Sequence, residues 1–370
     1  MAKKTPKKTD KIAPEFLKDT LKEYGEIIKS GARVMEEKAD YKVIHISPAL
    51  DLGLGGGQLE GTWMTLSGPP KCGKTTTAMQ IAANVQEERK IIYVDAEGRL
   101  KGLNFQIEGL DPEKFMIIGP DGPPVPAEVL LQTAYELMSH PDYHGAVLII
   151  DSISSLIPMR ELEGNMESKR PGLPKILSTF TKKMGQLLPS QRGLVIAITH
   201  FITDMSGYGG AKADGGVKIQ YQADTRLEIR HPGKGKGAAI TPWIEGGANG
   251  ERIGQIINWK VECSSMGPPG GNILSYIRYG KGIDKTKEVI GVAQDVGLII
   301  QAGAWFSFPY LADTEEGKKL AISIKPELKD ADRDEIIGSF KLQGADKAYS
   351  FICEHPESLD ILMKEVGEML

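Results

Sequence analysis

Residues 62–81 of this 370-residue chain read TWMTLSGPPKCGKTTTAMQI, and this stretch decides the fold. Its first residues form a short apolar run that predicts a buried strand, and the residues after Thr75 have the pattern of a helix. The turn between them, GPPKCGKT at 68–75, matches the pattern G-x-x-x-x-G-K-[ST]. Its glycines let backbone N–H groups surround phosphate oxygens at the helix N-terminus, so the stretch predicts a nucleotide phosphate site between a strand and a helix.

The side chains of this loop have separate expected roles. Lys74 is expected to reach the β- and γ-phosphates, and the hydroxyl of Thr75 is expected to bind Mg²⁺. The candidate nucleotide-binding residues of the loop are Gly68, Pro69, Pro70, Lys71, Cys72, Gly73, Lys74, Thr75 and Thr76.

Three further apolar strands end in residues that suit phosphate chemistry. GAVLIIDS ends in Asp151, which is expected to hold the water shell of Mg²⁺. KIIYVDAEG places Glu97 just after a strand, where it can orient or deprotonate an attacking water. GLVIAITH ends in His200, a candidate sensor of the γ-phosphate. On these grounds alone, two alternatives stay open. Glu97 could be a solvated carboxylate of a loop, and His200 could be a neutral polar residue at the end of a strand.

A glycine-rich segment, FITDMSGYGGAKADGGVKIQY at 201–221, follows His200 and has five glycines between 207 and 216. A long loop of this kind in a compact domain is usually functional or disordered. Its lysines, Lys212 and Lys218, are balanced by Asp204 and Asp214. We therefore expect it to hold nucleic acid through backbone N–H groups and lysines, and not as a dense basic patch.

Short apolar strands alternate with helices along much of the chain. Strands are predicted at 63–66, 91–95, 147–151, 194–199, 225–229, 255–261 and 273–279. Helices are predicted at 75–88, 127–140 and 174–188. This alternation predicts an α/β fold with a mainly parallel sheet covered by helices. The last two strands flank the turn GPPGGN and are expected to form a hairpin.

Composition and charge exclude several classes of protein. Hydrophobic residues make up 41% and charged residues 25% of the chain, which excludes wholesale disorder. No run approaches the roughly 18 apolar residues of a membrane span. The three cysteines lie far apart, which fits a reducing cytosol. Because the net charge is −4, a nucleic-acid role would need a local surface.

We expect three parts along the chain. Residues 1–42 are expected to form a basic tail and an amphipathic helix, capped by Gly31, that packs on its own domain or on a neighbouring subunit. Residues 43–285 are the expected core, and residues 286–370 a small α+β C-terminal domain. The stretch 311–370 differs in composition from the core, with 14 acidic and 8 basic residues.

Taken in order, these elements resemble the RecA family of DNA recombinases, including its phage relatives. The similar stretches are GPPKCGKTTT, YVDAEGRL, GLDPEKF, VLIIDSISSL, ELEGNMESKRPGLPKILSTFTKKM, the glycine-rich loop ending in YQADTRLEIR, YGKGI, GLIIQAGAWFSF and the closing KLQGADKAYSFICEHPESLDILMKEVGEML. The resemblance covers about 43–308 and returns at 341–370. It implies a RecA-type P-loop ATPase core that binds ATP and Mg²⁺ and assembles head to tail on DNA.

The resemblance also implies roles for single residues. Lys74, Thr75 and Asp151 match the phosphate and magnesium positions, Glu97 the catalytic glutamate, and His200 the γ-phosphate sensor. Where many relatives stack an aromatic ring on adenine, this chain has Asn104. The implied DNA-binding residues of the first loop are Glu163, Gly164, Asn165, Met166, Lys169 and Arg170. Those of the second loop are Met205, Gly207, Tyr208, Gly209, Gly210, Lys212, Gly215, Gly216 and Lys218.

The chain departs from the family pattern at one expected subunit interface. The family commonly has two basic residues that reach the neighbour's ATP, and this chain has Cys263 and Ser265 at those positions. Lys260, Lys281 and Lys285 are the nearest candidates to replace them. Residues 309–340 match no stretch of the family pattern.

The resemblance therefore implies a DNA-dependent ATPase and strand-exchange recombinase that forms ATP-dependent filaments on single-stranded DNA. The candidate partners are double-stranded DNA, further copies of the chain, single-strand-binding proteins and mediator proteins. The expected location is the cytoplasm of a bacterium or of a phage-infected bacterial cell, and no membrane is expected as a partner. Two alternatives stay open. One is a hexameric helicase motor on the same core, and the other is a low-turnover, ATP-binding mediator or paralogue of the recombinase.

Overall fold

The computed structural model describes residues 29, 31–164, 172–203, 211–213, 217–233, 240–245 and 250–368. The chain divides into two compact units, Met1–Lys42 and Val43–Leu370. Within these described ranges, no helix has both the length and the apolar composition that crossing a bilayer requires.

The described part of the first unit is a helix, α1, at Gly31–Ala39. Its Glu37 accepts hydrogen bonds from Arg33 Nε at 2.9 Å and from Lys29 Nζ at 2.5 Å. Gly31 is the first residue of this helix, and the earlier helix that it was expected to cap lies outside the described residues. The expected basic tail and amphipathic helix lie outside the described residues.

The second unit is built from strands and helices that alternate over its first half. Its strands are β1 Val43–Ile44, β2 Gln58–Leu59, β3 Thr62–Gly68, β4 Ile91–Asp95, β5 Phe115–Ile118, β6 Val147–Asp151, β7 Leu194–Thr203, β8 Ala211–Ala213, β9 Thr225–Arg230, β10 Thr241–Glu245, β11 Glu251–Cys263, β12 Asn272–Arg278, β13 Gly282–Ile283, β14 Ile300–Ala302, β15 Trp305–Ser307 and β16 Leu342–Gln343. Its α-helices are α2 Pro48–Leu54, α3 Lys74–Val85, α4 Ala127–Ser139, α5 Met159–Leu162, α6 Leu173–Gln191, α7 Val217–Gln222, α8 Lys285–Asp295, α9 Tyr310–Asp313, α10 Glu315–Ile324, α11 Arg333–Ser339, α12 Ala345–Glu354 and α13 Pro356–Glu368.

One large mixed sheet organises this unit, in the order β13-β12-β11-β9-β3-β7-β6-β4-β5. The strands from β9 to β5 run parallel, and those from β9 to β13 pair antiparallel. β10 pairs with β11, and β8 with the end of β7. The predicted α/β fold with a mainly parallel sheet is therefore confirmed.

The predicted elements are present with small shifts of their ends, and the hairpin of β11 and β12 pairs Gly254 with Arg278 through Lys260 with Asn272. Nine of the sixteen described strands were not predicted, among them β5 and β10 of the large sheet. β5 is a short edge strand whose residues FMII do not alternate in polarity. β10 contains Pro242 and pairs with β11 alone, which suits an edge position.

The parallel strands are buried on both faces. In β4, Ile91 and Tyr93 pack in a cluster with α3, while Ile92 and Val94 pack with α4 and α6 on the opposite face. This double burial explains why these strands read as continuous apolar runs. Because these strands run parallel, their carboxyl ends lie at one edge of the sheet, where β3 meets the loop at 68–75.

A further apolar cluster gathers residues of the C-terminal region, from Val289 to Val366. Residues 309–340, which match no stretch of the family pattern, belong to this core through Tyr310, Leu320 and Ile336. β14, β15 and β16 form a small antiparallel sheet beside it. A domain boundary near residue 285 stays a prediction.

Candidate nucleotide-binding and catalytic site

The loop at 68–75 is packed tightly against the neighbouring strands. A Cβ atom on Gly68 would lie 2.3 Å from the carbonyl oxygen of Ile229, and one on Gly73 would lie 2.4 Å from Cδ1 of Ile277. Gly73 also has a φ of 97°. Both positions therefore require glycine. Cys72 is fully buried in the core between them, so its backbone N–H, not its thiol, is what it can offer a phosphate.

The ammonium group of Lys74 lies over this loop. Its Nζ donates to the carbonyl oxygens of Gly68 and Pro69, both at 2.8 Å, and the residue is 6% exposed. Burial lowers the pKa of Lys74, although the charges of Asp151 and other neighbours act to raise it. Phosphate oxygens can replace the two carbonyls as acceptors of the same hydrogen bonds.

Thr75 and Asp151 meet at the start of α3. Thr75 Oγ1 donates to Asp151 Oδ2 at 2.6 Å, and the hydroxyl of Tyr93 donates to the same oxygen at 2.8 Å. Burial raises the pKa of Asp151, and these two hydrogen bonds oppose it. A carboxylate and a hydroxyl side by side are oxygen ligands of the kind that Mg²⁺ prefers, so the residues fit the expected metal.

Glu97 and His200 are joined across the ends of β4 and β7. His200 Nε2 lies 3.1 Å from Glu97 Oε1, and the same oxygen accepts from Ser155 at 2.9 Å and from Ser152 at 3.2 Å. The backbone N–H of His200 donates to Ser154 Oγ at 3.1 Å. Sequence reasoning gave these serines no role, although SISS at 152–155 directly follows the strand that ends in Asp151.

The electrostatics of Glu97 keep it ionised. Burial by itself would raise its pKa, but the hydrogen bonds from His200, Ser155 and Ser152 outweigh burial, and the pKa of Glu97 lies below its ordinary value. Arg99 Nη1 lies 3.5 Å from the other carboxylate oxygen, Oε2. Glu97 is therefore an anchored carboxylate at the cleft, able to accept a proton or orient a water.

These side chains line one cleft of about 640 Å³, within the range of small-molecule sites. The predicted residues that it brings together include Lys74, Thr75, Glu97, Asn104, Asp151 and His200.

A smaller pocket of about 370 Å³ shares Thr75, Thr76 and Asn104 with this cleft. Tyr279 also lines it, is 49% exposed, and accepts a hydrogen bond at its hydroxyl from Arg252 Nη2 at 2.7 Å. An exposed aromatic ring offers a surface for stacking a base. Sequence reasoning pointed to Asn104 at this place and gave Tyr279 no role, although it begins the stretch YGKGI.

Comparison with known proteins gives the family of this chain. A family model described as the RecA N-terminal domain matches residues 13–284, well over half of the chain. The chain belongs to the RecA family. This membership supports a P-loop ATPase of DNA recombination, a class that binds ATP with Mg²⁺.

Relatives of this RecA-family chain include curated bacterial proteins. It is 29% identical over 384 aligned residues to the protein RecA of Streptococcus pneumoniae strain Hungary19A-6, over 99% of this chain and 88% of that protein. The protein RecA of strain CGSP14 gives the same values. Among solved structures, the crystal structure of the RadB recombinase matches with a TM-score of 0.47 and 22% identity, over 64% of this chain and 98% of that chain.

The predicted DNA-binding residues of this RecA-family chain are partly described. Glu163 and Gly164 follow α5, Lys212 lies in β8 and Lys218 in α7. Eleven others lie outside the described residues: Asn165, Met166, Lys169, Arg170, Met205, Gly207, Tyr208, Gly209, Gly210, Gly215 and Gly216. Contact of these residues with DNA stays a prediction.

The two uncharged positions near the end of β11 have a cation beside them. Cys263 Sγ accepts a hydrogen bond from Arg226 Nε at 3.2 Å, and Ser265 N donates to Thr225 Oγ1 at 3.2 Å. Lys260 Nζ lies 3.6 Å from a carboxylate oxygen of Glu228. Sequence reasoning did not consider Arg226, because it lies on the neighbouring strand β9 and not next to Cys263 in the chain.

Proposed function

We propose that this protein is a DNA-dependent ATPase and a strand-exchange protein of homologous recombination, which forms ATP-dependent filaments on single-stranded DNA. One observation carries this proposal beyond the family level. His200 contacts the candidate catalytic carboxylate Glu97 at 3.1 Å and lies on β7, the strand that leads into the glycine-rich segment at 204–216. His200 therefore connects the nucleotide cleft to the strand that leads into the candidate DNA-binding segment.

ATP binding uses the loop at 68–75 and its surroundings. Backbone N–H groups of the loop and Nζ of Lys74 hold the phosphates, and the base occupies the adjoining pocket against Tyr279. Thr75 and Asp151 hold Mg²⁺, the latter through its water shell. When bound, the metal neutralises charge that develops on the β- and γ-phosphate oxygens.

Hydrolysis uses the carboxylate of Glu97. Glu97 is ionised at neutral pH, so it can orient a water in line with the γ-phosphate and accept its proton. Ser152 and Ser155 fix the position of the carboxylate by donating hydrogen bonds to Oε1. His200 contacts the same oxygen, so a γ-phosphate that draws His200 towards itself also changes the surroundings of Glu97.

DNA binding uses residues 163–170 and 201–220. Backbone N–H groups and the lysines of these segments hold the phosphate backbone of single-stranded DNA, and double-stranded DNA is the second substrate of strand exchange. ATP between adjacent copies favours the extended filament, and hydrolysis favours release. The N-terminal helix docks on the adjacent subunit. Single-strand-binding and mediator proteins act with the filament in the cytoplasm of a bacterium or phage-infected cell.

A low-turnover mediator is the second candidate, and one observation favours it. The positions at which the resemblance implies cross-subunit cations hold the uncharged Cys263 and Ser265. A mediator would bind ATP and partners but hydrolyse ATP slowly with or without DNA.

The experiment that tests the proposal compares the parent protein with Lys74→Ala. We expect the parent to hydrolyse ATP faster when single-stranded DNA is added, and Lys74→Ala to lose both hydrolysis and nucleotide-dependent DNA binding, because it loses the ammonium group on the phosphates. Undiminished hydrolysis by folded Lys74→Ala would refute the site. Negligible hydrolysis by a parent that binds ATP would favour the mediator.

A further inference from the structure

The phosphate loop contains a residue in an unusual backbone conformation. Lys71 has a φ of 61°, and in the described part of the chain only Arg192 shares a positive φ among non-glycine residues. Arg192 ends α6 as a left-handed cap, and its Nη1 lies 3.6 Å from Glu60. The C-terminal end of a helix thus accounts for Arg192, whereas Lys71 lies in the middle of a loop.

Glycine adopts this conformation without the Cβ penalty that lysine bears. A loop selected for its backbone alone would therefore favour glycine at position 71. Backbone outliers of this kind concentrate at functional sites, where the surrounding structure holds them in place. The side chain of Lys71 is the feature that a glycine would not provide.

A buried side chain of β11 makes a hydrogen bond to the backbone of Lys71. Gln255, on β11, is 7% exposed, and its Nε2 donates to the carbonyl oxygen of Lys71 at 3.1 Å. Both residues line the nucleotide cleft. A residue of the sheet thereby holds the peptide group between Lys71 and Cys72 in place.

The charges that line the cleft show what the lysine can do. The three cationic side chains there are Lys71, Lys74 and Arg99. Lys74 donates to two loop carbonyls, and Arg99 pairs with Glu97. Lys71 is exposed and makes no ion pair with any residue in the described ranges. Since a triphosphate carries more negative charge than Lys74 and one divalent ion neutralise, the cleft has use for another cation.

We propose that Lys71 is a second phosphate-binding cation, which contacts the triphosphate of ATP and stabilises the charge that develops during hydrolysis, and that Gln255 positions it. This inference rests on the proposed ATPase function and deepens it. An exposed cation that lines the cleft in the middle of the loop would complement Lys74, whose Nζ lies against the carbonyls of Gly68 and Pro69.

Lys71→Gly is the decisive variant, because it relieves the backbone while removing the charge. We expect its melting temperature to be no lower than that of the parent, and its kcat/KM for ATP to fall by about tenfold or more. Lys71→Arg keeps a cation and is expected to lose less than Lys71→Gly. Lys319→Ala is the matched control, since it removes one exposed lysine of α10, outside the cleft.

Equilibrium binding of ATP to the same full-length variants is measured as well, because it does not depend on turnover. The inference predicts weaker ATP binding by Lys71→Gly than by the parent and by Lys319→Ala. Binding and kcat/KM within about twofold of the parent would overturn it, even if Lys74→Ala abolishes both. Absence of hydrolysis in the parent would instead refute the proposed function, and the binding comparison would still decide the role of Lys71.

Gln255→Ala tests the positioning role. If Gln255 acts through Lys71, the substitution lowers kcat/KM in the parent but by less than about twofold in the Lys71→Gly background. Equal losses in the two backgrounds would show that Gln255 acts independently, and would overturn its assignment to Lys71.

Discussion

His200 Nε2 lies 3.1 Å from Oε1 of Glu97. This contact joins a residue of β7, which leads into the candidate DNA-binding segment, to the carboxylate proposed to act on water. It also lowers the pKa of Glu97 against the effect of burial, together with Ser155 and Ser152. The proposed coupling of DNA binding to ATP hydrolysis therefore has a short physical route.

Glu97→Gln is expected to retain ATP binding and filament formation but to lose turnover by about 10²–10⁴-fold. Glutamine keeps the shape of the side chain and loses the basicity that a general base requires. Steady-state hydrolysis with single-stranded DNA measures the loss, with Glu113→Gln as a control at an exposed carboxylate outside the cleft. A loss smaller than about tenfold in folded protein would show that Glu97 is not the base.

Hydrogen exchange across residues 203–218 is expected to slow when single-stranded DNA and ATP are added together. The five glycines make this segment costly to fix, so contacts with DNA must supply the compensation. The parent and Lys74→Ala are compared, since only the parent should show the change. Exchange that is the same with and without DNA would place the DNA-binding site elsewhere.

The stability of the protein is expected to depend on the protonation of Glu288, in α8. Burial raises the pKa of Glu288 to about 7, against hydrogen bonds from Ser275 and the backbone of Ala49. The folded state therefore binds a proton that the unfolded chain releases near its ordinary pKa of about 4.3, and stability falls as the pH rises from there to about 7.

Glu288→Gln removes this dependence because the amide stays neutral. Relative to the parent, the variant is expected to gain about 3 kcal/mol of unfolding free energy between about pH 4 and about pH 8. Denaturant unfolding at the two pH values measures the gain, with the exposed Glu354→Gln as control. A parent whose stability does not change more than that of Glu288→Gln would contradict the buried proton.

Arg226→Ala is expected to lower DNA-stimulated hydrolysis by at least about tenfold while leaving nucleotide binding intact. A basic group supplied across an interface can speed phosphoryl transfer by about 10³–10⁵, and Arg226 holds its guanidinium against Cys263. Lys260→Ala, Lys281→Ala and Lys285→Ala are tested beside it. If all four variants hydrolyse ATP like the parent, none of these residues supplies the cation.

Much of the fold was predictable because its signals are local. A few adjacent residues are enough to predict the strand that ends in Asp151, and the same holds for the loop at 68–75. β5 and β10 were missed because an edge strand needs neither double burial nor alternation, and its partner is set by the rest of the sheet.

The site residues that belong to a sequence motif could be predicted. The site residues that the folded strands bring together from distant parts of the chain could not. Lys74, Asp151 and Glu97 follow from their places after strands. Gln255 was missed because its contact with Lys71 spans 184 residues of sequence. Arg226 was missed for the same reason, and the φ of Lys71 is a property of the folded loop that no pattern of residue types encodes.

Electron microscopy of the purified protein with single-stranded DNA and a slowly hydrolysed ATP analogue tests the central claim most directly. We predict helical filaments with the parent protein that depend on both DNA and nucleotide, and none with Lys74→Ala. Closed rings would instead indicate a hexameric motor. Neither filaments nor rings, from a parent shown to bind the nucleotide, would contradict the recombinase account and leave the mediator.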